Sequence, residues 1–188
     1  SLNLPDQEIV ERDGTWELEF RRLVPVETWN AEISLLTGFA AADTMLRGRI
    51  GILRTLPPAE EWALGRLRRQ ARGLGVDWPR SMTYPEFVRS LSPEDPVQLA
   101  VLTKCTMLFR GAGYVAFDGE LPEGNLEHNA LAAPYAHTTA PLRRLVDRYV
   151  LEICHALLND LPVPDWAREG LAALPDEMAE AGRSANAY

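Results

Sequence analysis

Apolar and polar residues follow a two-residue period near the start of the chain and then change to a helical period. They alternate from Thr15 to Phe20, which predicts a half-buried strand. From about Val26 to Arg47 the apolar positions recur at helical spacing, which predicts a long amphipathic helix. The predicted buried face of that helix carries Trp29, Ile33, Leu36, Ala40 and Met45.

The same two periods continue along the rest of the chain. Further strands are predicted at 50–55, 114–117 and 131–135. Further helices are predicted at about 60–73, 85–91, 95–109, 141–158 and 166–181. Together these elements predict a single α+β domain over residues 1–188, in which helices pack against a mostly antiparallel sheet.

Two adjacent arginines, Arg143 and Arg144, stand at the predicted start of the long C-terminal helix. The threonines before them can accept hydrogen bonds from free backbone N–H groups, and Pro141 suits a first helical position. The helix is therefore expected to begin near Ala140, with both arginines in its first turn. Two cations against the helix dipole cost roughly 0.3–1 kcal/mol each. A bound phosphate or carboxylate would offset that cost, so the motif indicates an anion site.

An ion pair within the helix is the alternative interpretation of these arginines. Asp147 stands four residues after Arg143 and three after Arg144, and either spacing allows a contact on a helix. The fork of guanidinium donors fits phosphate oxygens, but it fits a carboxylate equally well. The sequence leaves both interpretations open.

A second cationic feature lies on the helix predicted near residues 60–73. One side of it carries Trp62, Leu64 and Leu67, and its other side carries Arg66, Arg68, Arg69 and Arg72. Such a stripe either contacts RNA or is simply solvated, as charge-rich helix faces usually are.

Composition narrows the class of protein. The net charge of −8 argues against a free-standing, nonspecific nucleic-acid binder, although a channel can be locally positive inside an acidic protein. Cys105 and Cys154 lie in apolar helical stretches without CxxC spacing, which favours reduced core thiols in a cytoplasmic protein. The sequence contains no apolar run of membrane-spanning length and no signal pattern, so no membrane partner is expected. The cysteines and histidines have no zinc-ligand spacing, and no Gly-x-Ser-x-Gly turn occurs.

The run from His128 to Asp147 resembles the signature of the catalytic domain of the ribonuclease II family, the RNB domain. In that family a His-x-x-Leu segment precedes Tyr-x-His-x-Thr-Ser-Pro-Ile-Arg-Arg-Tyr-x-Asp. The matching residues are His128, Leu131, Tyr135, His137, Thr139, Pro141, Arg143, Arg144 and Asp147. Ala140 and Leu145 depart from the pattern, because they replace a serine and a tyrosine.

Two upstream segments extend the resemblance. Residues 30–38 are similar to the Val-Glu-Glu-x-Met-Leu-Leu-Ala-Asn helix of the family, with Glu32 retained. Ala31 replaces the glutamate that the family associates with a terminal ribose, so the resemblance does not predict discrimination of RNA from DNA. Residues 107–114 look like the Met-x-x-x-x-Ala-x-Tyr helix end, with Ala112 and Tyr114 in place.

The resemblance implies part of a 3′-to-5′ exoribonuclease that hydrolyses single-stranded RNA with Mg²⁺. The family binds Mg²⁺ with an aspartate cluster that lies before the matched part, so the ion is expected on residues outside this chain. Residues 2–5 look like the middle of a strand and residues 187–188 like an unfinished helix, which suggests the C-terminal portion of a catalytic domain. Expected partners are therefore single-stranded RNA, the remainder of the catalytic domain and OB-fold RNA-binding domains.

The resemblance also implies roles for individual residues. Arg143 would be catalytic and stabilise the charge that develops on the scissile phosphate. Six residues would bind RNA, namely Arg144, His137, Tyr135, Thr139, Glu32 and His128. The residues themselves allow other roles: a packed core tyrosine at Tyr135, a histidine that orients the loop at His137, and a loop cap at His128. The alternative function is a catalytically inert RNB-like module that binds RNA or a protein.

Overall fold

The computed structural model of the chain describes residues 6–21, 24–109, 111–124 and 126–185. The chain divides into two compact units, Ser1–Thr28 with Ala59–Arg110, and Trp29–Pro58 with Gly111–Tyr188. The single catalytic domain expected over residues 1–188 stays a prediction. The elements expected at 2–5 and 187–188 lie outside the described residues.

The described chain has the predicted α+β composition. In chain order its elements are β1 (Asp6–Arg12), β2 (Thr15–Arg21), α1 (Pro25–Gly48), β3 (Ile50–Thr55), α2 (Glu61–Gly73), α3 (Tyr84–Ser90), α4 (Pro96–Cys105), a 3₁₀ turn (Thr106–Phe109), β4 (Gly113–Asp118), α5 (Leu145–Leu158), α6 (Asp165–Gly170) and α7 (Leu174–Ala185). Among the described residues, β1 pairs with β2 and β3 with β4, both antiparallel, as two separate two-stranded sheets. No described helix is long and apolar enough to cross a membrane.

The first unit begins with the hairpin of β1 and β2. Asp13 and Gly14 connect the strands with positive φ angles of 51° and 77°, which suits a tight hairpin turn. Ile9 lies opposite Leu18, and Trp16 lies on the same face. These three side chains are 71%, 56% and 67% exposed. The predicted strand is therefore confirmed but its predicted burial is wrong, because no described residue covers that face.

Helices α2 to α4 enclose the core of the first unit. The buried residues are Leu67, Ala71, Trp78, Phe87, Val101 and Cys105. Arg68 lies 4.2 Å above the Trp78 ring and donates to the backbone carbonyl oxygens of Trp78, Pro79 and Met82. One arginine of the predicted stripe is therefore a structural residue, whereas the exposed ones are Arg66, Arg69 and Arg72.

The second unit packs β3 and β4 against α5 to α7 and the C-terminal half of α1. The strand register runs from Ile50 opposite Asp118 to Thr55 opposite Gly113. The largest fully buried side chains of this core are Met45, Ile52, Leu53, Ile153, Leu174, Val146 and Val150. This core supports the segment that carries the sequence motif, because β3 and α5 flank that segment.

Helix α1 has the predicted extent but buries a different face. Its buried residues are Gly38, Ala41, Ala42 and Met45, which repeat at helical spacing. By contrast, Trp29, Ile33, Leu36 and Ala40 are exposed. The predicted face is wrong in these four positions because α1 has two apolar faces. The apolar face that carries small side chains is the buried one, because it lets the backbone near Ala136 approach the helix closely.

Two predictions around the motif are also wrong. Residues 131–135 form a turn closed by bridges from His128 to Ala133 and to Leu56, not a strand. Helix α5 begins at Leu145 rather than near Ala140. The threonine hydroxyls do not cap it. Instead, the Asp147 carboxylate accepts from the Ala140 backbone N–H at 2.7 Å and holds the preceding residues as a turn.

Candidate functional site

Residues 135–137 lie between α1 and β3. The Ala136 N–H donates to the Gly38 carbonyl oxygen at 3.2 Å, and the Arg54 N–H donates to the Tyr135 carbonyl oxygen at 2.8 Å. A Cβ atom at Gly38 would collide with the Tyr135 ring and lie 2.6 Å from the Ala136 oxygen. The missing side chain of Gly38 therefore allows this close contact, and two backbone hydrogen bonds hold the loop from both sides.

Tyr135 is at the centre of a cluster of rings. Its ring meets Phe39, His128 and His137 edge to face, with centroids 5.8, 6.1 and 5.7 Å away. His137 also meets Tyr114, at 5.8 Å. Tyr135 is only 8% exposed, and burial raises the pKa of its hydroxyl. This environment fits the packed-core alternative, because it leaves little ring surface on which a base could stack.

His137 is a neutral hydrogen-bonding group near pH 7. Burial, followed by the nearby charges of Arg144 and Arg54, lowers its pKa to about 4. Its Nδ1 lies 2.8 Å from the Tyr114 hydroxyl, whose own pKa is raised by burial. A protonated tyrosine hydroxyl can donate to Nδ1, so we assign the tautomer that leaves an N–H at Nε2. That N–H makes no hydrogen bond to a described residue, and it can serve as an uncharged donor.

His128 belongs to the same cluster and is anchored through its backbone. Its N–H donates to the Ala133 carbonyl oxygen at 3.0 Å, which supports the loop-cap interpretation. Burial and then the charge of Arg54 lower its pKa. Within the described chain, His128 Nδ1 and Thr138 Oγ1 are the buried side-chain atoms without a hydrogen-bond partner.

Arg144 forms an ion pair with Asp147, as the alternative interpretation of the motif allowed. Its Nε and Nη2 donate to the two carboxylate oxygens, each at 2.8 Å. The Arg144 side chain is 22% exposed and that of Asp147 is fully buried. Since the same carboxylate accepts from the Ala140 N–H, this pair fixes the turn that precedes α5.

Arg143 is the unpaired arginine of the motif. Its backbone N–H donates to the Ala140 carbonyl oxygen, while its side chain is exposed and forms no ion pair or hydrogen bond with a described residue. Thr139 and Glu32 are likewise exposed and have no such contact. The structure therefore brings together His128, Tyr135, His137 and Arg144, but it shows no side-chain contact of Arg143, Glu32 or Thr139 with them.

Arg54 is a member of the site that the sequence interpretation missed. Its guanidinium lies 4.7 Å from the centroid of the Tyr114 ring, and its Nη1 is 3.5 Å from the Gly113 carbonyl oxygen. It lowers the pKa of both His128 and His137, which places its charge close to the ring cluster. No carboxylate of the described chain pairs with it. A single cation inside the apolar strand β3 was the available sequence signal.

The arrangement provides cations and uncharged donors but no metal site. Asp147 neutralises Arg144, whereas Arg54 and Arg143 have no carboxylate partner among the described residues. Within the described part of the chain, no group of three or more His, Cys, Asp or Glu side chains could hold a metal ion. The site can therefore bind an anion, but its described residues do not fit Mg²⁺.

Comparisons with known proteins identify the fold. No family model matches, and no curated protein matches by sequence. Among solved structures, Mycoplasma genitalium RNase R in complex with ribose-methylated single-stranded RNA matches 99% of this chain with a TM-score of 0.70 and 16% identity. The same RNase R in complex with double-stranded RNA matches 99% with a TM-score of 0.68 and 17% identity. Yeast Ssd1, described as a pseudonuclease, matches 78% with a TM-score of 0.60 and 20% identity.

These likenesses confirm the RNB-type fold that the sequence resemblance implied. The chain spans 31% and 36% of the two RNase R chains, and its match covers 19% of Ssd1. The same fold therefore occurs in a ribonuclease that binds RNA and in a pseudonuclease.

Proposed function

We propose that this chain is part of a 3′-to-5′ exoribonuclease and that its motif binds a phosphate of single-stranded RNA near the scissile bond. The observation that carries the proposal is the unequal use of the two adjacent arginines. Arg144 is held by the buried Asp147, while Arg143 has no partner among the described residues. The RNB-type fold, present in an RNase R bound to single-stranded RNA, supports RNA as the source of the phosphate.

Each group of the site has a task in this proposal. Arg143 stabilises the charge that develops on the phosphate, and Arg54 adds a second cation close to the ring cluster. His137 donates from Nε2 without bringing a charge. Arg144 positions the turn through Asp147. RNA contacts by Glu32, Thr139, His128 and Tyr135 remain predictions.

Mg²⁺ remains part of the proposed activity, bound by residues outside this chain. The described residues do not supply the convergent carboxylates that an octahedral site needs, so no step of the reaction is assigned to the metal. The remainder of the catalytic domain and OB-fold domains are proposed partners on the same basis, as is a cytoplasmic location.

Arg143→Ala tests the phosphate role. In the complete protein we expect turnover to fall about 10²–10³-fold, as it does when a donor aimed at developing charge is removed. RNA affinity should fall much less. The assay follows Mg²⁺-dependent digestion of 3′-labelled and 5′-labelled single-stranded RNA, with affinity measured separately by fluorescence anisotropy.

Arg183→Ala is the matched control, because Arg183 is an exposed arginine of α7 and its loss changes the net charge equally. Equal losses of turnover and affinity in Arg143→Ala would contradict a role in the transition state. Equal behaviour of Arg143→Ala and the control would contradict any specific role of Arg143.

A catalytically inert RNB-like binding module is the second candidate, favoured by the match to Ssd1, which is described as a pseudonuclease. The digestion assay separates the two functions. RNA binding that depends on Arg143 without Mg²⁺-dependent digestion by the complete protein would establish the inert module. Binding of a protein partner without binding of RNA would establish an inert module that binds a protein instead of RNA.

A further inference from the structure

A cleft in the first unit has the chemistry of a nucleotide-binding site. It lies beside α2, α4 and the 3₁₀ turn, and its volume is about 60 Å³. Its polar and aromatic lining comes from Trp62, Arg66 and Gln70 of α2 and Lys104 of α4. A volume of this size is below the range of enclosed small-ligand sites, so a base could stack only on the exposed edge of the cleft.

The lining combines an available aromatic ring with two cations. Trp62, Arg66 and Gln70 are spaced four residues apart on α2, so they lie along one face of the helix. Trp62 is 67% exposed. Arg66 and Lys104 form no ion pair or hydrogen bond with a described residue, and none of the described residues that line the cleft carries a carboxylate. A ring beside uncompensated cations is the arrangement that single-stranded nucleic-acid sites use.

We propose that this cleft binds one nucleotide of single-stranded RNA. The base stacks on Trp62, and the adjoining phosphate is bound by Arg66 and Lys104. This inference rests on the proposed function, because it takes RNA as the ligand. It adds a binding site in the first unit that is independent of the motif in the second.

RNA accounts for this lining better than a solvated helix face does. The chain has a net charge of −8, whereas this cleft is lined by two cations and no carboxylate. The local charge of the cleft is therefore opposite in sign to the net charge of the chain. The other two exposed arginines of α2, Arg69 and Arg72, do not line the cleft, and they provide the comparison. If the cleft is only a solvated groove, the two pairs of cations should behave alike.

The test measures binding of a 3′-fluorescein-labelled decauridylate to the 188-residue chain by anisotropy, over a salt series that begins at low ionic strength. Arg66→Gln with Lys104→Gln should weaken binding more than the charge-matched Arg69→Gln with Arg72→Gln. The double variant of Arg66 and Lys104 should also show a shallower slope of log K against log salt concentration. The slope should change by about 0.7 for each phosphate that the variant no longer neutralises.

Trp62 is tested by two substitutions. Trp62→Ala should weaken binding about 5-fold or more because the base can no longer stack, and Trp62→Phe should restore most of the affinity. Circular dichroism checks that each variant is folded. We expect both variants to fold, because the Trp62 side chain forms no hydrogen bond with a described residue. An Arg143→Ala variant is measured in parallel.

The outcomes separate this inference from the proposed function. Cleft variants that bind RNA as tightly as their charge control would overturn the cleft alone, provided that the wild-type chain binds RNA. Cleft variants that lose affinity while Arg143→Ala binds nearly like wild type would support the cleft. The proposed function is then decided separately by the digestion assay, because Arg143 is expected to affect turnover far more than affinity. A wild-type chain that binds no RNA at low salt would overturn both.

Discussion

Asp147→Asn is the substitution that tests most directly how the motif is held. The Asp147 carboxylate is fully buried and accepts three hydrogen bonds, from the Ala140 N–H at 2.7 Å and from Arg144 Nε and Nη2 at 2.8 Å each. Asparagine has the same shape, but its NH₂ group would face one of these donors. The substitution therefore removes the charge and one acceptor without creating a cavity.

The expected magnitude follows from the burial of each partner. Removal of one member of a fully buried ion pair costs about 3–5 kcal/mol, because the other charge is left unpaired. Arg144 is 22% exposed and can recover part of its hydration, which lowers this figure. An unsatisfied Ala140 N–H would add about 1–3 kcal/mol if its acceptor were removed entirely. We therefore expect the free energy of unfolding to fall by about 2–4 kcal/mol.

Urea unfolding, followed by circular dichroism and by tryptophan fluorescence, measures this loss where the two transitions coincide. Asp43→Asn is the control, because Asp43 forms an exposed pair with Arg47 and its loss should change stability little. In a double-mutant cycle with Arg144→Gln, the two losses should couple by about 1–3 kcal/mol. A loss below about 1 kcal/mol in Asp147→Asn, or no coupling, would refute the argument that this pair fixes the turn.

Two further substitutions test protonation and packing in the site. Folding lowers the pKa of His137 from 6.5 to about 4. The stability that the neutral imidazole contributes is therefore complete above pH 6.5 and is lost as the pH falls toward 4. The total loss is at most about 3 kcal/mol. As the pH falls, wild type should therefore lose more unfolding free energy than His137→Asn does. A difference between the two proteins that does not change with pH would contradict the lowered pKa of His137. Gly38→Ala should cost about 1–3 kcal/mol through its collision with Tyr135, whereas Gly182→Ala, which meets open space on α7, should cost nothing; equal urea midpoints for the two variants would show that the loop does not depend on Gly38.

Local sequence signals predicted the elements of this fold but not their environment. The strands near 15–20, 50–55 and 114–117 were correct, because alternation and turn residues act over a few positions. The buried face of α1 was wrong, because hydrophobic periodicity does not distinguish two apolar faces of one helix. What distinguishes them is Gly38, whose missing side chain admits residues about 100 positions later in the chain.

The motif itself was visible in the sequence, but the division of tasks within it was not. Spacing allowed Asp147 to pair with either arginine, and only the turn at Ala140 selects Arg144. Arg54 and Tyr114 reach the site through the pairing of β3 with β4, which no local pattern specifies. A lone cation in an apolar strand was the one signal that could have identified Arg54.

The acidic charge of the chain and the proposed phosphate site at its motif are compatible because they act over different distances. At 0.1 M ionic strength, charges more than about 10 Å away are largely screened, so the −8 net charge would affect mainly the approach of the proposed RNA ligand. Near the ring cluster, Asp147 is occupied by Arg144 and both His128 and His137 have lowered pKa values, so Arg54 supplies the positive charge that has no carboxylate partner among the described residues. Neutral histidines matter here because they add donors without increasing the repulsion among cations. A fold that pairs one arginine and leaves its neighbour unpaired can therefore present a positive site on an acidic protein.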